Sequence, residues 1–160
     1  MGYKVTKANG PIPTTTNTFQ TFEDLEVYKA ARELRKAMYV VSRCLPDLEK
    51  YDLGREIRRA TVSLTNNMAK GHGRFRHPDQ IRFFRHSRGS LEEFVDDLNV
   101  CLDENCVSDE RLEKLKEQAG GVLILINGYL HHVRNRATTV REVDERDSEY
   151  LDALDDLVPL

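Results

Sequence analysis

The residues best suited to chemistry lie in one short segment, KGHGRFRH at residues 70–77, which combines glycines with cationic and imidazole side chains. Clustered Lys and Arg side chains bind phosphate groups by displacing counterions. Phe75 lies between Arg74 and Arg76, where an exposed ring would stack on an unpaired base. The alternative interpretation is a solvated charged loop with Phe75 packed against the core. A phosphate-binding surface is therefore one of two interpretations of this segment.

Charge is distributed unevenly along the 160 residues, although the net charge is only −3. Residues 54–88 contain nine Lys or Arg and two Asp or Glu, whereas the rest of the chain contains 15 basic and 25 acidic residues. Such segregation favours an anionic partner for the basic segment, and nucleic acid is the natural candidate.

The sequence contains no pattern typical of a catalytic or metal site. The Glu-x-x-His pairs of di-iron bundles are absent, as are the HEXXH, P-loop and GxSxG patterns. Cys44, Cys101 and Cys106 form no CxxC pair, and the adjacent His131 and His132 point in different directions on a helix. We therefore expect a non-enzymatic protein with no catalytic residue, metal or cofactor.

The cysteines and the hydropathy of the sequence indicate the cellular compartment of the protein. An odd set of cysteines without a disulfide framework is typical of reduced thiols in a cytoplasm. The longest apolar run, VLILI at residues 122–126, is too short to span a membrane, and the N-terminus lacks the apolar core of a signal peptide. We expect a cytoplasmic protein that does not associate with membranes.

Apolar residues at alternating spacings of three and four predict four helices. Thr21 and Asp24 resemble a capping box at the start of the first helix, and Gly71 and Gly73 are predicted to end the second. The apolar stripe of the second helix includes Asn67, and Arg88 is in register with the stripe of the third. The four helices are predicted to begin near Thr21, Asp52, Pro78 and Ser108.

Short loops between these helices predict an all-α, antiparallel up-down-up-down four-helix bundle over residues 21–136. Residues 1–20 are predicted to form a flexible arm, and residues 137–160 an acidic tail that contains a possible short amphipathic helix. In this topology, the loop between helices two and three lies at the same end as the C-terminus of helix four. The residues expected to bind nucleic acid there are Lys70, His72, Arg74, Phe75, Arg76, His77, Arg82, His131, Arg134 and Arg136.

A second group of residues is expected to be structural. In an antiparallel pair that turns near Phe75, Arg58 and Arg59 lie opposite Glu92 and Glu93, which favours interhelical salt bridges. Asn67 needs hydrogen-bond partners, such as Ser63, Ser90 or a backbone carbonyl, and would fix the helix register. Gly89 is costly inside a helix, and a close approach between helices would explain it. The structural set is Arg58, Arg59, Asn67, Gly89, Ser90 and Glu93.

Two apolar features suggest contacts with other proteins. The fourth helix is apolar on every side at residues 122–126, so it should also face a neighbouring subunit. The tail could dock in a partner's groove or, as a third possibility, fold over the basic end and compete with phosphates. The predicted oligomer interface is Val122, Leu123, Ile124, Leu125 and Ile126, and the predicted docking residues are Leu151, Leu154 and Leu157.

Three blocks in this order and spacing resemble a family of small bacterial four-helix-bundle proteins, the 23S rRNA intervening-sequence proteins. The blocks are FEDLEVYKAARELRKAMY, REIRRATVSLTNNMAKGHGR and FFRHSRGSLEEFVDDL, and the resemblance covers roughly residues 22–136. The central block is similar to the family pattern Q-I-R-R-A-x-x-S-I-x-x-N-I-A-E-G-x-G-R. Lys70 stands where the family usually has Glu, Glu56 where it often has Gln, and Thr65 where Pro is frequent.

The resemblance implies a homopentameric ring of bundles with a basic surface and no established enzymatic activity. A related branch, the accessory variability determinants of diversity-generating retroelements, works beside a reverse transcriptase and its template RNA. The resemblance therefore implies RNA or an RNA–DNA hybrid as a partner, with a reverse transcriptase as a second candidate partner. A protein-interaction scaffold that docks a partner through the tail is the alternative.

Overall fold

The computed structural model describes residues 21–155, with side chains through Thr138, and the regular secondary structure of this part of the chain is all helical. The arm expected at residues 1–20 lies outside the described residues. Four long helices form a bundle, and two short helical segments precede its first two members. The short segments are a 3-10 helix (Phe22–Asp24) and α2 (Asp47–Lys50), and the long helices are α1 (Glu26–Cys44), α3 (Leu53–His72), α4 (His77–Asp103) and α5 (Asp109–Asp155).

The predicted apolar stripes form the core of the bundle. α1 packs against α3 and α5, and α4 packs against the same two helices. Each buried Leu, Ile or Phe side chain contributes about 1.5–3 kcal/mol to folding, so the stripes supply the main stabilisation. The stripe of α1 is buried throughout, at Val27, Ala31, Leu34, Met38, Val41 and Leu45.

At two polar positions of the predicted stripes, the core instead holds the neighbouring residue. On α3 the core position is Met68, and Asn67 beside it is only half-buried. On α4 the buried residue is Ser87, whose hydroxyl donates to the carbonyl of Leu64 at 2.9 Å, and Arg88 is exposed. Asn67 and Arg88 thus lie beside the core, whereas Ser87 lies in it with its hydroxyl paired to a backbone carbonyl.

The ends of the helices use the predicted residues in unexpected ways. The capping box of Thr21 and Asp24 is present, but it closes the 3-10 helix, and extended Leu25 separates this turn from α1. Asp52 precedes α3 without a side-chain capping bond. Gly73 follows α3 with φ −74°, an angle open to any residue, so a left-handed turn does not explain this glycine.

The last helix is longer than predicted, because α5 continues for 47 residues to Asp155. It therefore includes most of the segment expected to be a separate tail. Leu151 and Leu154 lie within α5, but their side chains, and all of Leu157, are outside the described residues. The unbroken helix directs this segment away from its own bundle, so folding back over the basic end would require a break.

The length and hydropathy of the helices show whether any of them could span a membrane. Within residues 21–155, none combines the length and the apolar character needed to cross a bilayer.

Candidate nucleic-acid interface

The turn between α3 and α4 holds the central part of the predicted basic surface. Backbone bonds from Gly73 N to the Ala69 carbonyl, and from Arg74 N to the Gly71 carbonyl, continue the helical path out of α3. The side-chain amide of Gln80, in the first turn of α4, donates to the Arg74 carbonyl at 2.6 Å. These bonds hold the turn against both helices.

Phe75 is fully exposed, with a relative accessibility of 101%, so it does not pack against the core. The turn is instead anchored by Phe83, a half-buried ring on α4. The guanidinium carbon of Arg74 lies 5.0 Å from the centre of this ring, and that of Arg82 lies 5.4 Å away, both within cation–π distance. The Phe75 ring is therefore available for stacking while Phe83 orients the cations beside it.

The exit of α3 and the later part of α5 meet at one aromatic ring. Phe84 is buried and stacks on Tyr129 of α5 with ring centres 3.9 Å apart. A Cβ atom added to Gly71 would lie 2.9 Å from Phe84 Cδ2, so only glycine fits there without a shift. Burial raises the pKa of the Tyr129 hydroxyl, and the positive charge of Arg136 opposes that rise. The structure thus brings Gly71, Phe84 and Tyr129 together, with Arg136 close enough to act on Tyr129.

The residues predicted to bind nucleic acid are accessible to different degrees. His72 and His77 are half-buried, where the ends of α3 and α4 meet. Their binding role stays a prediction. The exposed members are Lys70, Arg74, Phe75, Arg76, Arg82, His131, Arg134 and Arg136.

The two arginines expected to form interhelical salt bridges behave differently. Arg59 bonds to Glu93 on α4 and to Glu56 on its own helix. Arg58 forms no ion pair with a carboxylate in the part of the chain that the structure describes. Successive helical side chains point about 100° apart, so only one of the two can face α4, and the expectation for Arg58 is wrong.

Asn67 takes part in a polar contact between two helices. Its side-chain amide donates to the carbonyl of Ser63 at 3.0 Å and to the Ser63 hydroxyl at 3.2 Å. The Ser90 hydroxyl on α4 lies 2.9 Å from that of Ser63. The three side chains link α3 to α4, with Ser90 almost fully buried.

The glycine that permits close helix packing is Gly71 rather than Gly89. Nothing lies within 4 Å of a Cβ atom placed on Gly89, which is exposed in the middle of α4. The expected close approach at Gly89 is therefore wrong.

The apolar girdle of α5 divides between the core and the surface. Val122 and Ile126 are buried in the subunit core, so they are not free to form the predicted oligomer interface. Leu123 is half-buried against the core. Ile124 and Leu125 are 72% and 38% accessible and remain available for such an interface.

A carboxylate in the C-terminal third of α4 is poorly solvated. Asp97 is half-buried, and its Oδ2 atom has no hydrogen-bond partner within the described residues. Burial, followed by the nearby carboxylates of Glu93 and Glu56, raises the pKa of Asp97 to about 6, while Arg59 opposes the rise. This group has no contact with the basic turn.

A groove between α1 and α3, here called the α1–α3 groove, was not anticipated from the sequence. Its volume is about 590 Å³, and Tyr39 is its contribution from α1. The available signal was the spacing of polar and basic residues on the outer face of α3, from Arg55 through Arg59 and Asn66 to Lys70. The lining residues are Tyr39, Arg55, Arg58, Arg59, Val62, Ser63, Asn66, Asn67 and Lys70.

The fold and the basic turn define a small four-helix-bundle protein with an exposed aromatic ring among cations. The sequence model of the 23S rRNA-intervening sequence proteins matches residues 23–128, about two-thirds of the chain. The chain therefore belongs to the 23S rRNA-intervening sequence protein family. A comparison with curated proteins gave no match.

Proposed function

We propose that this protein is a non-enzymatic, cytoplasmic accessory protein that binds RNA or an RNA–DNA hybrid through the basic end of its bundle. The observation that carries the proposal is the full exposure of Phe75 between Arg74 and Arg76, in a turn held by backbone and side-chain bonds. A protein that keeps an aromatic ring in water beside clustered cations has the parts needed to stack one base and neutralise its phosphates.

The proposal requires that alternate helices run in opposite directions, so that the C-terminal part of α5 lies beside the α3–α4 turn. The cross-helix contacts support this arrangement. Arg59 of α3 pairs with Glu93 of α4, and Gly71, later on α3, contacts Phe84, earlier on α4. The two contacts therefore support an antiparallel arrangement of these helices. Between α4 and α5, Phe84 stacks on Tyr129, whereas Asn99 accepts a bond from Lys116.

An oligomer would repeat the basic end and convert weak contacts into higher overall affinity. We propose a homo-oligomeric ring, with five subunits on the basis of the family resemblance, assembled through the exposed Ile124 and Leu125. Gly121 and Gly128 are exposed one helical turn to either side, so a second helix could approach closely there. A reverse transcriptase is the proposed protein partner, by resemblance to the retroelement accessory proteins.

The binding proposal is tested with full-length protein and a fluorescent single-stranded RNA, by anisotropy. Phe75→Ala should weaken binding by about 5- to 150-fold, the range measured for the loss of one stacked base. Tyr51→Ala is the matched control, because Tyr51 is 77% accessible and precedes α3, about 30 Å from the turn. Equal effects of the two substitutions, or full affinity after Phe75→Ala, would refute the proposed site.

A second candidate function is a protein-interaction scaffold that docks a partner through the C-terminal segment. The observation that favours it is the continuation of α5 to Asp155, well past the Tyr129 contact. Deletion of residues 141–160 should then abolish pull-down of the partner and leave RNA affinity unchanged. Full recovery of the partner by the truncated chain would exclude this segment as the docking element.

A further inference from the structure

The α1–α3 groove carries positive charge that the bundle does not neutralise. Of its four cationic side chains, only Arg59 is held by carboxylates. Arg55, Arg58 and Lys70 have no carboxylate within ion-pair distance among the described residues. No acidic side chain lines the groove. Three uncompensated cations along one groove attract an extended anion rather than a single ion.

Tyr39 lies between this groove and a second depression that shares Tyr39 and Val62 with it. In the second depression, Lys36 is paired with Glu33, and Arg35 donates to the Thr65 hydroxyl at 2.7 Å. The remaining cation there, Arg43, has no carboxylate partner in the described range. The half-buried tyrosine is therefore flanked by cations on both sides, at the point where α1 and α3 face each other.

The position of Tyr39 favours a single strand of nucleic acid over a duplex. A base held in a duplex presents only its edges, so it cannot lay its face on a half-buried ring between two helices. An unpaired base can do so, and stacking on aromatic side chains is how single strands are bound without sequence preference. The exposed amide of Asn66 supplies hydrogen-bonding groups beside it.

We infer that the α1–α3 groove binds one single strand of nucleic acid, with phosphates on Arg55, Arg58 and Lys70 and a base stacked on Tyr39. The inference rests on the proposed function and extends it. Lys70 lines the groove and belongs to the last turn of α3, next to the basic turn at residues 73–76. A strand that leaves the turn can therefore continue along α3 over about 20–25 Å, the span from Lys70 to Arg55 at 1.5 Å per residue.

The phosphate contacts are tested by the salt dependence of binding to a fluorescent single-stranded RNA by full-length protein. Each lost phosphate contact lowers the slope of log K against log salt by about 0.7 for a single strand. Arg55→Gln combined with Arg58→Gln should therefore lower the slope by about 1.4 and weaken binding about tenfold at 200 mM salt. Arg111→Gln with Lys114→Gln removes the same charge from an exposed part of α5 and should leave the slope unchanged.

The stacking contact is tested at Tyr39. Tyr39→Leu should weaken single-strand binding about 5- to 150-fold, with the slope unchanged, whereas Tyr39→Phe should retain the affinity. Duplex RNA of the same sequence should not respond to Tyr39→Leu. Equal losses for the Leu and Phe variants, or an equal response of the duplex, would overturn the stacking contact. Helical circular dichroism and melting temperature identify any variant that fails to fold. If Tyr39→Leu fails to fold, Tyr39→Phe is compared with Arg55→Gln: the first should retain the affinity, and the second should lower the salt slope.

The two binding proposals fail in different ways. If the groove variants keep the wild-type slope while Phe75→Ala still weakens binding, the groove inference is wrong and the turn remains the site. If the groove variants lower the slope while Phe75→Ala has no effect, the strand lies in the groove and the proposed turn is wrong. If the wild-type protein binds neither single strand nor duplex, both proposals fail together.

Discussion

Gly71 and Gly89 provide a direct test of the packing at the basic end, because the same substitution should have opposite effects at the two positions. In Gly71→Ala the new Cβ would lie 2.9 and 3.0 Å from two ring carbons of Phe84 and 3.1 Å from Phe83 Cβ. Carbon atoms pack favourably at about 3.5–4.0 Å, so something must move by at least half an ångström. In Gly89→Ala the Cβ would meet no atom within 4 Å.

The magnitudes follow from this geometry. Phe84 cannot move freely, because it is fully buried and stacks on Tyr129 at 3.9 Å. Overpacking of this kind costs about 1–3 kcal/mol, and the higher helix propensity of Ala offsets at most about 1 kcal/mol of it. We therefore expect Gly71→Ala to destabilise the protein by about 1–2 kcal/mol. Gly89→Ala gains the propensity term without the clash and should stabilise the protein by up to about 1 kcal/mol.

The assay is urea unfolding followed by helical circular dichroism, at several protein concentrations so that any effect of assembly is separated. The expected difference between the variants is about 1–3 kcal/mol in free energy of unfolding. If Gly71→Ala proves as stable as Gly89→Ala, the close contact between α3 and Phe84 does not exist as described. The main evidence that the C-terminal end of α3 packs near α5 would then be lost.

Three further predictions concern separate features. The pKa of Asp97, about 6 in the folded protein, exceeds its unfolded value, so its contribution to stability falls as pH rises from about 4 to 6. The free energy of unfolding of Asp97→Asn should therefore equal that of the wild type near pH 4 and exceed it by about 1 kcal/mol at pH 7.5, a value reduced for solvent screening. A difference in this free energy that stays constant across pH would refute this cause. Ser90→Ala should cost about 0.5–1.5 kcal/mol in urea unfolding, and less when Ser63 is already Ala, because the two hydroxyls share one contact. Ile124→Asp should lower the mass measured by light scattering without reducing helicity; an unchanged mass would exclude Ile124 from the oligomer interface.

The helices could be predicted from the sequence because their apolar residues recur at spacings of three and four, which only a helical surface buries on one side. The errors arose where two neighbouring residues fit the same pattern. At Asn67 and Met68, one residue shifts the stripe by about 100°, and only packing decides which side chain enters the core. The short α2 was missed because four residues carry no periodicity.

The candidate site was only partly predictable, for a physical reason. The charge of the basic turn and the glycines near it are sequence properties, so their clustering could be seen. Whether Phe75 faces water depends on the path of the turn between α3 and α4. Which of Arg58 and Arg59 reaches Glu93 depends on the rotation of α3 against α4. The α1–α3 groove combines one residue from α1 with eight from α3, so no single segment reveals it.

The length of α5 has a consequence for assembly. From Thr138 to Asp155 the helix extends about 25 Å, and residues 141–160 carry eight acidic and two basic side chains. In the proposed oligomer, neighbouring copies would hold these acidic C-terminal segments within reach of one another, and their repulsion fades as the Debye length shortens. Added electrolyte should thus promote subunit association while it loosens any bound strand. The competent complex would then exist within a window of ionic strength, bounded below by dissociation into subunits and above by release of nucleic acid.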